Sequence, residues 1–235
     1  MTLMQPLSDQ SSTADGERGI FLRGVSKFYP TQHGTAKVFE QVDLDILYGE
    51  KLGVLGRNGA GKSTLMRLIS GAELPTSGSV AHSMSISWPL ALGGGFQGSL
   101  TGMDNIRFIS RIYDLDLKEA IAFVEDFSEL GRYLREPVKI YSNGMRARLA
   151  FAISMVVNFD CFLIDEVIAV GDQRFREKCQ AELFERRGDR AMVIISHDPD
   201  FVKHYCKRAV VIHDKRLLHF PTVEEAYAFY MEHIA

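Results

Sequence analysis

The stretch Gly56-Arg57-Asn58-Gly59-Ala60-Gly61-Lys62-Ser63-Thr64 decides the fold of this sequence. It fits the pattern G-x-x-x-x-G-K-[ST] and follows the apolar run from Lys51 to Leu55, as in a strand that leads into a phosphate-binding P-loop. Glycines let successive backbone N–H groups turn towards an anion, and a helix that begins near Gly61 adds its positive end. The alternative is a glycine-rich turn without a ligand, but the flanking strand and helix signals favour the P-loop.

The P-loop pattern assigns chemistry to individual side chains. Lys62 is placed to reach the β- and γ-phosphates of a nucleotide, and Ser63 to ligate the Mg²⁺ that bridges them. The sequence therefore predicts ATP and Mg²⁺ as ligands. The residues expected to hold the nucleotide in this loop are Gly56, Asn58, Gly59, Ala60, Gly61, Lys62, Ser63 and Thr64.

Composition limits what else the chain contains. With 235 residues, of which 46% are hydrophobic, it suits one large domain or two small ones. A net charge of −3 with interspersed signs gives no broad basic surface, so nucleic acid is not an expected partner. No apolar run approaches the roughly 18 to 20 residues that cross a bilayer, and residues 1–18 lack the features of a secretion signal, which places the chain in the cytoplasm. The three cysteines are widely spaced in apolar or helical stretches and indicate buried thiols rather than a disulfide or metal site.

The apolar pattern predicts the organisation of the chain. Residues 1–18 are polar and indicate a disordered leader, and residues 19–235 indicate one domain with a helical insert at about 98–158. Strand-like segments on either side of residues 30–34 predict an antiparallel β flap before the P-loop. Strand signals alternate with helical ones after the insert, so the fold class is α/β with a mainly parallel sheet. These later strand signals are Cys161 to Asp165, Ala191 to Ser196 and Ala209 to His213, and Thr222 to Ile234 predicts a closing helix.

Two acids end the apolar strand that begins at Cys161. Ligands of open α/β sheets bind at the carboxyl ends of the strands, so Asp165 is expected to orient Mg²⁺ and its water, and Glu166 to act as general base on the attacking water. His197 follows the next strand and is placed to reach the same γ-phosphate. The alternatives are that the two acids are solvated and cap the next helix, and that the histidine is structural.

The segment Tyr141-Ser142-Asn143-Gly144-Met145-Arg146 resembles the signature motif of ABC-transporter ATPases. The order of P-loop, helical insert, signature, Asp-Glu strand and histidine is similar to the arrangement in that family, from Ile20 to about Ile212. The resemblance implies that Ser142 and Gly144, at the start of a helix, bind the phosphate of an ATP held by a second copy of the chain. It also implies that Asp172 links the two sites across the dimer.

The resemblance extends to the aromatic residue that binds the nucleotide base. The sequence differs from the family pattern in two places. Tyr29 is similar to the residue on which adenine stacks. The signature has Tyr141, Asn143 and Met145 where the family commonly has Leu, Gly and Gln. In the family, the glutamine that senses the membrane subunit would lie near Leu92. This sequence has Gln97 instead, and whether Gln97 serves as that sensor stays open.

A longer stretch, Ile86 to Gly102, resembles the ATPases of bacterial capsular-polysaccharide exporters. That resemblance implies a homodimer that hydrolyses ATP beneath an integral-membrane permease, at the cytoplasmic face of the inner membrane. The same resemblance implies that this dimer drives lipid-linked polysaccharide outwards, with periplasmic and outer-membrane capsule export proteins as further partners. Four apolar residues are either a docking surface for the permease or part of the domain interior: Trp88, Pro89, Leu90 and Phe96.

Three alternatives to capsule export remain open. The first is an O-antigen or teichoic acid exporter, although the former often adds a C-terminal carbohydrate-binding domain for which this sequence has no room. The second is a soluble ABC-type ATPase that acts on ribosomes or DNA, which usually has two nucleotide domains or a long coiled-coil insert. The third is a small-molecule kinase, in which an acceptor pocket and a lid replace the signature.

Overall fold

The computed structural model describes residues 18–32, 34–90, 97–165, 172–196 and 199–234. Except for Arg18, the predicted leader at 1–18 lies outside these residues. A three-stranded antiparallel sheet, in the order β2-β1-β4, is formed by β1 (Gly19–Thr31), β2 (Gly34–Leu47) and β4 (Ser77–His82). It is the predicted β flap. At its third strand Gly78 has a φ of 83°, and an added Cβ would lie 2.4 Å from the Gly24 carbonyl oxygen.

The second sheet has five strands in the order β5-β6-β3-β7-β8. Its first four strands are parallel, and their residues are almost all buried, because helices or the flap cover both faces. The fifth pairs antiparallel with its neighbour through a turn in which Asp214 and Lys215 have φ of 45° and 64°, and the sequence did not predict it. The strands are β3 (Lys51–Gly56), β5 (Cys161–Asp165), β6 (Ala191–Ile195), β7 (Arg208–His213) and β8 (Arg216–Phe220).

Seven α-helices occur in the described part of the chain, and the α/β prediction is confirmed. Within that part, none of them is both long and apolar enough to span a bilayer. Thr101, Asp116, Ser142, Asp172 and Thr222 each cap a helix by accepting a backbone N–H bond. The helices are α1 (Lys62–Ile69), α2 (Gly102–Ile112), α3 (Leu117–Ser128), α4 (Asn143–Val156), α5 (Gln173–Gln180), α6 (Pro199–Tyr205) and α7 (Val223–His233).

Two apolar clusters lie on the two faces of the five-stranded sheet. One joins the flap and α1 to the sheet, and the other joins α2, α3, α4 and α7 to the opposite face. Neighbouring residues of β3 divide between them, since Val54 belongs to the first cluster and Leu55 to the second. Cys161, Cys179 and Cys206 are free and buried, as predicted, and burial raises the pKa of each thiol to about 12.

The structure distinguishes between the two interpretations of the candidate docking residues. The Trp88 indole N–H donates to the Ser154 hydroxyl at 2.8 Å, and its ring meets Phe159 edge-on at 5.3 Å between centroids. Leu90 is 6% exposed, and its N–H donates to the Leu163 carbonyl oxygen at 3.0 Å. Leu90 therefore packs inside the domain, and the Trp88 ring packs against the core while the residue stays half-buried, as Pro89 does. Phe96 lies outside the described residues.

Replacing Trp88 with glutamate is expected to destabilise the chain by roughly 3 kcal/mol, because it removes a packed ring and places a charge beside Phe159. Trp88→Phe, which keeps a ring, should cost less than half as much. Urea unfolding of both variants gives the two free energies. A Trp88→Glu chain of unchanged stability would contradict the packing role and return the residue to the docking surface.

Candidate nucleotide site

The P-loop connects the end of β3 at Gly56 to the start of α1 at Lys62. Gly59 and Gly61 have φ of 81° and 113°, values that residues with a Cβ rarely adopt. A Cβ at Gly61 would also lie 2.6 Å from Cγ1 of Val38, so the flap packs directly against the loop. The strand, tight turn and helix form the concave backbone that holds phosphate groups in such loops.

Lys62 points back into the loop. Its ammonium group donates to the carbonyl oxygen of Gly56 at 2.7 Å and to that of Arg57 at 3.1 Å, with Oδ1 of Asn58 at 3.5 Å. Burial lowers the pKa of the Lys62 ammonium below its ordinary value, and the negative charge of Asp165 acts in the opposite direction. The loop therefore holds a positive charge near the end of β5.

Asp165 and Ser63 offer oxygen ligands at this position. Asp165 is half-buried at the carboxyl end of β5, and Ser63 is exposed in the first turn of α1. The described chain places no three His, Cys, Asp or Glu together as a metal cage. Mg²⁺ fits such a site, because it prefers oxygen ligands and usually takes several from water and substrate phosphates.

Glu166 and His197 lie outside the described residues. The strands that lead to them are neighbours, and Asp165 of β5 pairs in register with Ile195 of β6. The chain therefore leaves the sheet for both residues from adjacent strand ends, on the edge where Gly56 ends β3. Their catalytic roles stay predictions.

Tyr29 lies in β1, and its hydroxyl group has two partners. It donates to Oε2 of Glu73 at 2.8 Å and accepts from Nη2 of Arg67 at 3.2 Å. The ammonium group of Lys27 lies 5.1 Å from the centroid of the ring. Sequence reasoning found Tyr29 but not its contacts, because Arg67 and Glu73 are far away in the sequence and Lys27 is a single charge in the same strand.

The signature residues begin α4. Ser142 is exposed and caps α4, since its hydroxyl group accepts the Met145 N–H at 3.2 Å, and Gly144 lies in the first turn of this helix. Tyr141 is 3% exposed, and its hydroxyl donates to the Tyr133 carbonyl oxygen. Tyr141, which stands where the family commonly has Leu, is therefore a packing residue. Within the described part of the chain, neither Ser142 nor Gly144 bonds to the P-loop.

Two further residues have structural partners. Asp172 caps α5 by accepting the Phe175 N–H at 2.9 Å, and it pairs with Arg148 of α4 at 2.7 Å. The bond from Phe175 and the charge of Arg148 keep the Asp172 pKa below its ordinary value, against the effect of burial. Gln97 is exposed, and its backbone N–H donates to Asn105 at 3.3 Å, which leaves the sensor prediction open.

Comparisons with known proteins agree with this geometry. The sequence profile of the family described as ABC transporter matches residues 39–169. The chain is 57% identical over 213 residues to the ATP-binding protein BexA of Haemophilus influenzae, covering 91% of the chain and 98% of that protein. It is 56% identical over 211 residues to the capsule polysaccharide export ATP-binding protein CtrD of Neisseria meningitidis serogroup B, covering 90% and 98%.

A solved structure shows the same fold. The dimeric ATP-binding cassette MJ0796, bound to ADP and Pi in a post-hydrolysis state, aligns with a TM-score of 0.73 at 19% identity. The alignment covers 86% of this chain and 98% of the cassette. A profile match across more than half of the 235 residues and relatives more than half identical over nearly their full length show that the chain belongs to the ABC transporter family.

Proposed function

We propose that this chain is the ATP-hydrolysing subunit of an exporter that drives lipid-linked capsular polysaccharide across the bacterial inner membrane. The observation that supports it most is the P-loop in which Lys62 is held near Asp165. That site occurs in a chain closely similar to a protein named for capsule polysaccharide export.

In this proposal, different residues bind and hydrolyse ATP. The P-loop N–H groups and Lys62 hold the β- and γ-phosphates, and Ser63 and Asp165 hold Mg²⁺. The metal supplies positive charge against the phosphate oxygens. Glu166 takes a proton from the attacking water, and His197 contacts the γ-phosphate. Tyr29 carries the adenine.

The assembly follows from the position of the signature. Ser142 and Gly144 present an exposed helix N-terminus that bonds to nothing in the P-loop of the described chain, so a second copy of the chain completes each site. We further propose that residues 19–235 form one ATPase domain, with its helical part at about 98–158. It is bound to an integral-membrane permease at the cytoplasmic face of the inner membrane, with periplasmic and outer-membrane capsule export proteins beyond it.

Deleting the gene from its source bacterium is expected to leave capsular polysaccharide inside the cell. Export then stops while synthesis continues, because this chain supplies energy only to the transport step. Surface and intracellular polysaccharide are measured separately with an antibody before and after permeabilisation, and the wild-type gene on a plasmid should restore surface capsule. A normal surface capsule in the deletion strain, or no polysaccharide in either fraction, would contradict the proposed transport role.

A further inference from the structure

Three charged side chains, those of Lys27, Arg67 and Glu73, form a cluster with Tyr29. Glu73 lies at its centre. Its Oε2 accepts from the Tyr29 hydroxyl at 2.8 Å and from Nε of Arg67 at 2.9 Å, and its Oε1 lies 2.8 Å from Nζ of Lys27. The same ammonium group donates to the Leu74 carbonyl oxygen at 2.8 Å. The carboxylate therefore connects the ring to both cations.

These contacts fix the orientation of the ring. The Tyr29 hydroxyl is held from two sides, by Glu73 as acceptor and by Arg67 as donor at 3.2 Å. The Lys27 ammonium group lies over one face of the ring, at 5.1 Å from its centroid, which is a cation–π distance. A flat ligand that stacks on Tyr29 therefore has to use the opposite face.

Glu73 keeps its charge in any enzyme assay. Burial raises the pKa of its carboxyl group, but the hydrogen bonds from Arg67, Lys27 and Tyr29 outweigh burial and lower the pKa to about 2. The carboxylate is therefore charged at neutral pH. Hydrogen bonds to a charged acceptor are stronger than those between neutral groups.

The cluster is also connected to the P-loop. Nη2 of Arg67 donates to the Thr64 hydroxyl at 3.1 Å, and Thr64 is 6% exposed and follows Ser63 directly in α1. Arg67 is itself a residue of α1, and its guanidinium group bonds to Thr64 in the same helix, to Glu73 and to the Tyr29 hydroxyl. These bonds connect the ring to the helix that follows the phosphate-binding loop.

We propose that Glu73 is a positioning residue for the nucleotide, which acts through Tyr29 by holding the ring where the adenine of a P-loop-bound ATP stacks. This inference rests on the proposed ATP-binding function. Glu73 contacts no reacting atom in this role, so it governs the binding of ATP and leaves the hydrolytic step unchanged. A carboxylate that only stabilises the fold would have no preference for the base over the phosphates.

Glu73→Gln is expected to raise the KM for ATP by about three- to tenfold, the range for loss of one ordering hydrogen bond, with little change in kcat. Tyr29→Phe, which keeps the ring but loses the hydroxyl, should raise the KM for ATP by a similar factor. Glu40→Gln is the matched control. Glu40 pairs with Lys37 in β2, within the β flap that also contains Tyr29, and it contacts none of the cluster. Its KM should equal that of the wild type. KM and kcat are measured for each purified variant with Mg²⁺ present. Thermal unfolding of each variant checks that it is folded.

Two further measurements test whether Glu73 acts through the ring. In a Tyr29→Ala background, Glu73→Gln should add nothing to the KM, because the group that it positions is gone. Inhibition by Mg²⁺-tripolyphosphate, which has no base, should be equal in wild type and Glu73→Gln. Additive effects of the two substitutions, an unchanged KM in Glu73→Gln, or an equal loss of tripolyphosphate affinity would each overturn the proposal.

The possible failures are distinguishable. A wild-type chain that neither binds nor hydrolyses ATP would overturn the proposed function itself. Normal wild-type activity with an unchanged KM in Tyr29→Ala would overturn the stacking role of Tyr29, and the positioning role of Glu73 with it. A raised KM in Tyr29→Ala and Tyr29→Phe, but not in Glu73→Gln, would leave stacking intact and overturn the part assigned to Glu73.

Discussion

Lys62→Ala is expected to lower ATP affinity by at least about a hundredfold and to abolish hydrolysis, because it removes the positive charge that points into the P-loop. The ammonium group is already held at the loop carbonyls of Gly56 and Arg57, so it needs little rearrangement to meet phosphate. Burial lowers its pKa, which shows that the surroundings disfavour the charge until an anion compensates for it. Binding of a fluorescent ATP analogue and phosphate release provide the two measurements.

The comparison with Glu166→Gln separates binding from chemistry. That variant should bind ATP with nearly wild-type affinity and hydrolyse it at least a hundredfold more slowly, since a general base contributes little to holding the nucleotide. Lys62→Met, which keeps the length of the side chain without the ammonium group, controls for the loss of side-chain packing in the loop. If Lys62→Met bound ATP normally, the ammonium group would have no part in binding the nucleotide.

Local sequence patterns predicted the parts of the fold that depend on neighbouring residues. The strand at Cys161 to Asp165 was found because a buried parallel strand is a continuous apolar run. The helix after the P-loop begins at Lys62, one residue after the predicted start near Gly61. β4 and β8 were missed because their sequences, SGSVAH and RLLHF, are short, mixed in polarity and half-exposed.

Contacts between distant segments could not be predicted in this way. Glu73 is 44 residues from Tyr29 and lies in an ordinary loop after α1, so nothing in its surroundings marks it as a partner of the ring. The packing of Trp88 could not be predicted either, because an apolar side chain suits an interface as well as an interior. Only the positions of Ser154, on α4, and Phe159, between α4 and β5, show that its ring packs against the core. Both cases depend on tertiary structure, which periodicity does not contain.

The proposal that each ATP site combines residues of two chains can be tested, because the signature has room for a substitution that repels phosphate. A Cβ on Gly144 would have its nearest neighbour, the Ser142 hydroxyl oxygen, at 3.9 Å, an ordinary contact distance. Gly144→Asp also places a negative charge in the first turn of α4, where no acidic residue now lies and the helix dipole favours one. The substitution should therefore leave the isolated chain folded while repelling a phosphate at the helix N-terminus.

A mixed dimer with Lys62→Ala in one chain and Gly144→Asp in the other is expected to keep one intact ATP site. Both lesions then fall in the same composite site, and the other site combines a wild-type P-loop with a wild-type signature. Placing both substitutions in one chain of a mixed dimer reverses the result, because each composite site then contains one lesion. Differently tagged chains, purified through both tags, give the two dimers, and occluded ATP is measured because coupled sites can both be needed for turnover. Occlusion in the second dimer but not in the first would show that each chain builds its own site, and Ser142 and Gly144 would then act within their own subunit.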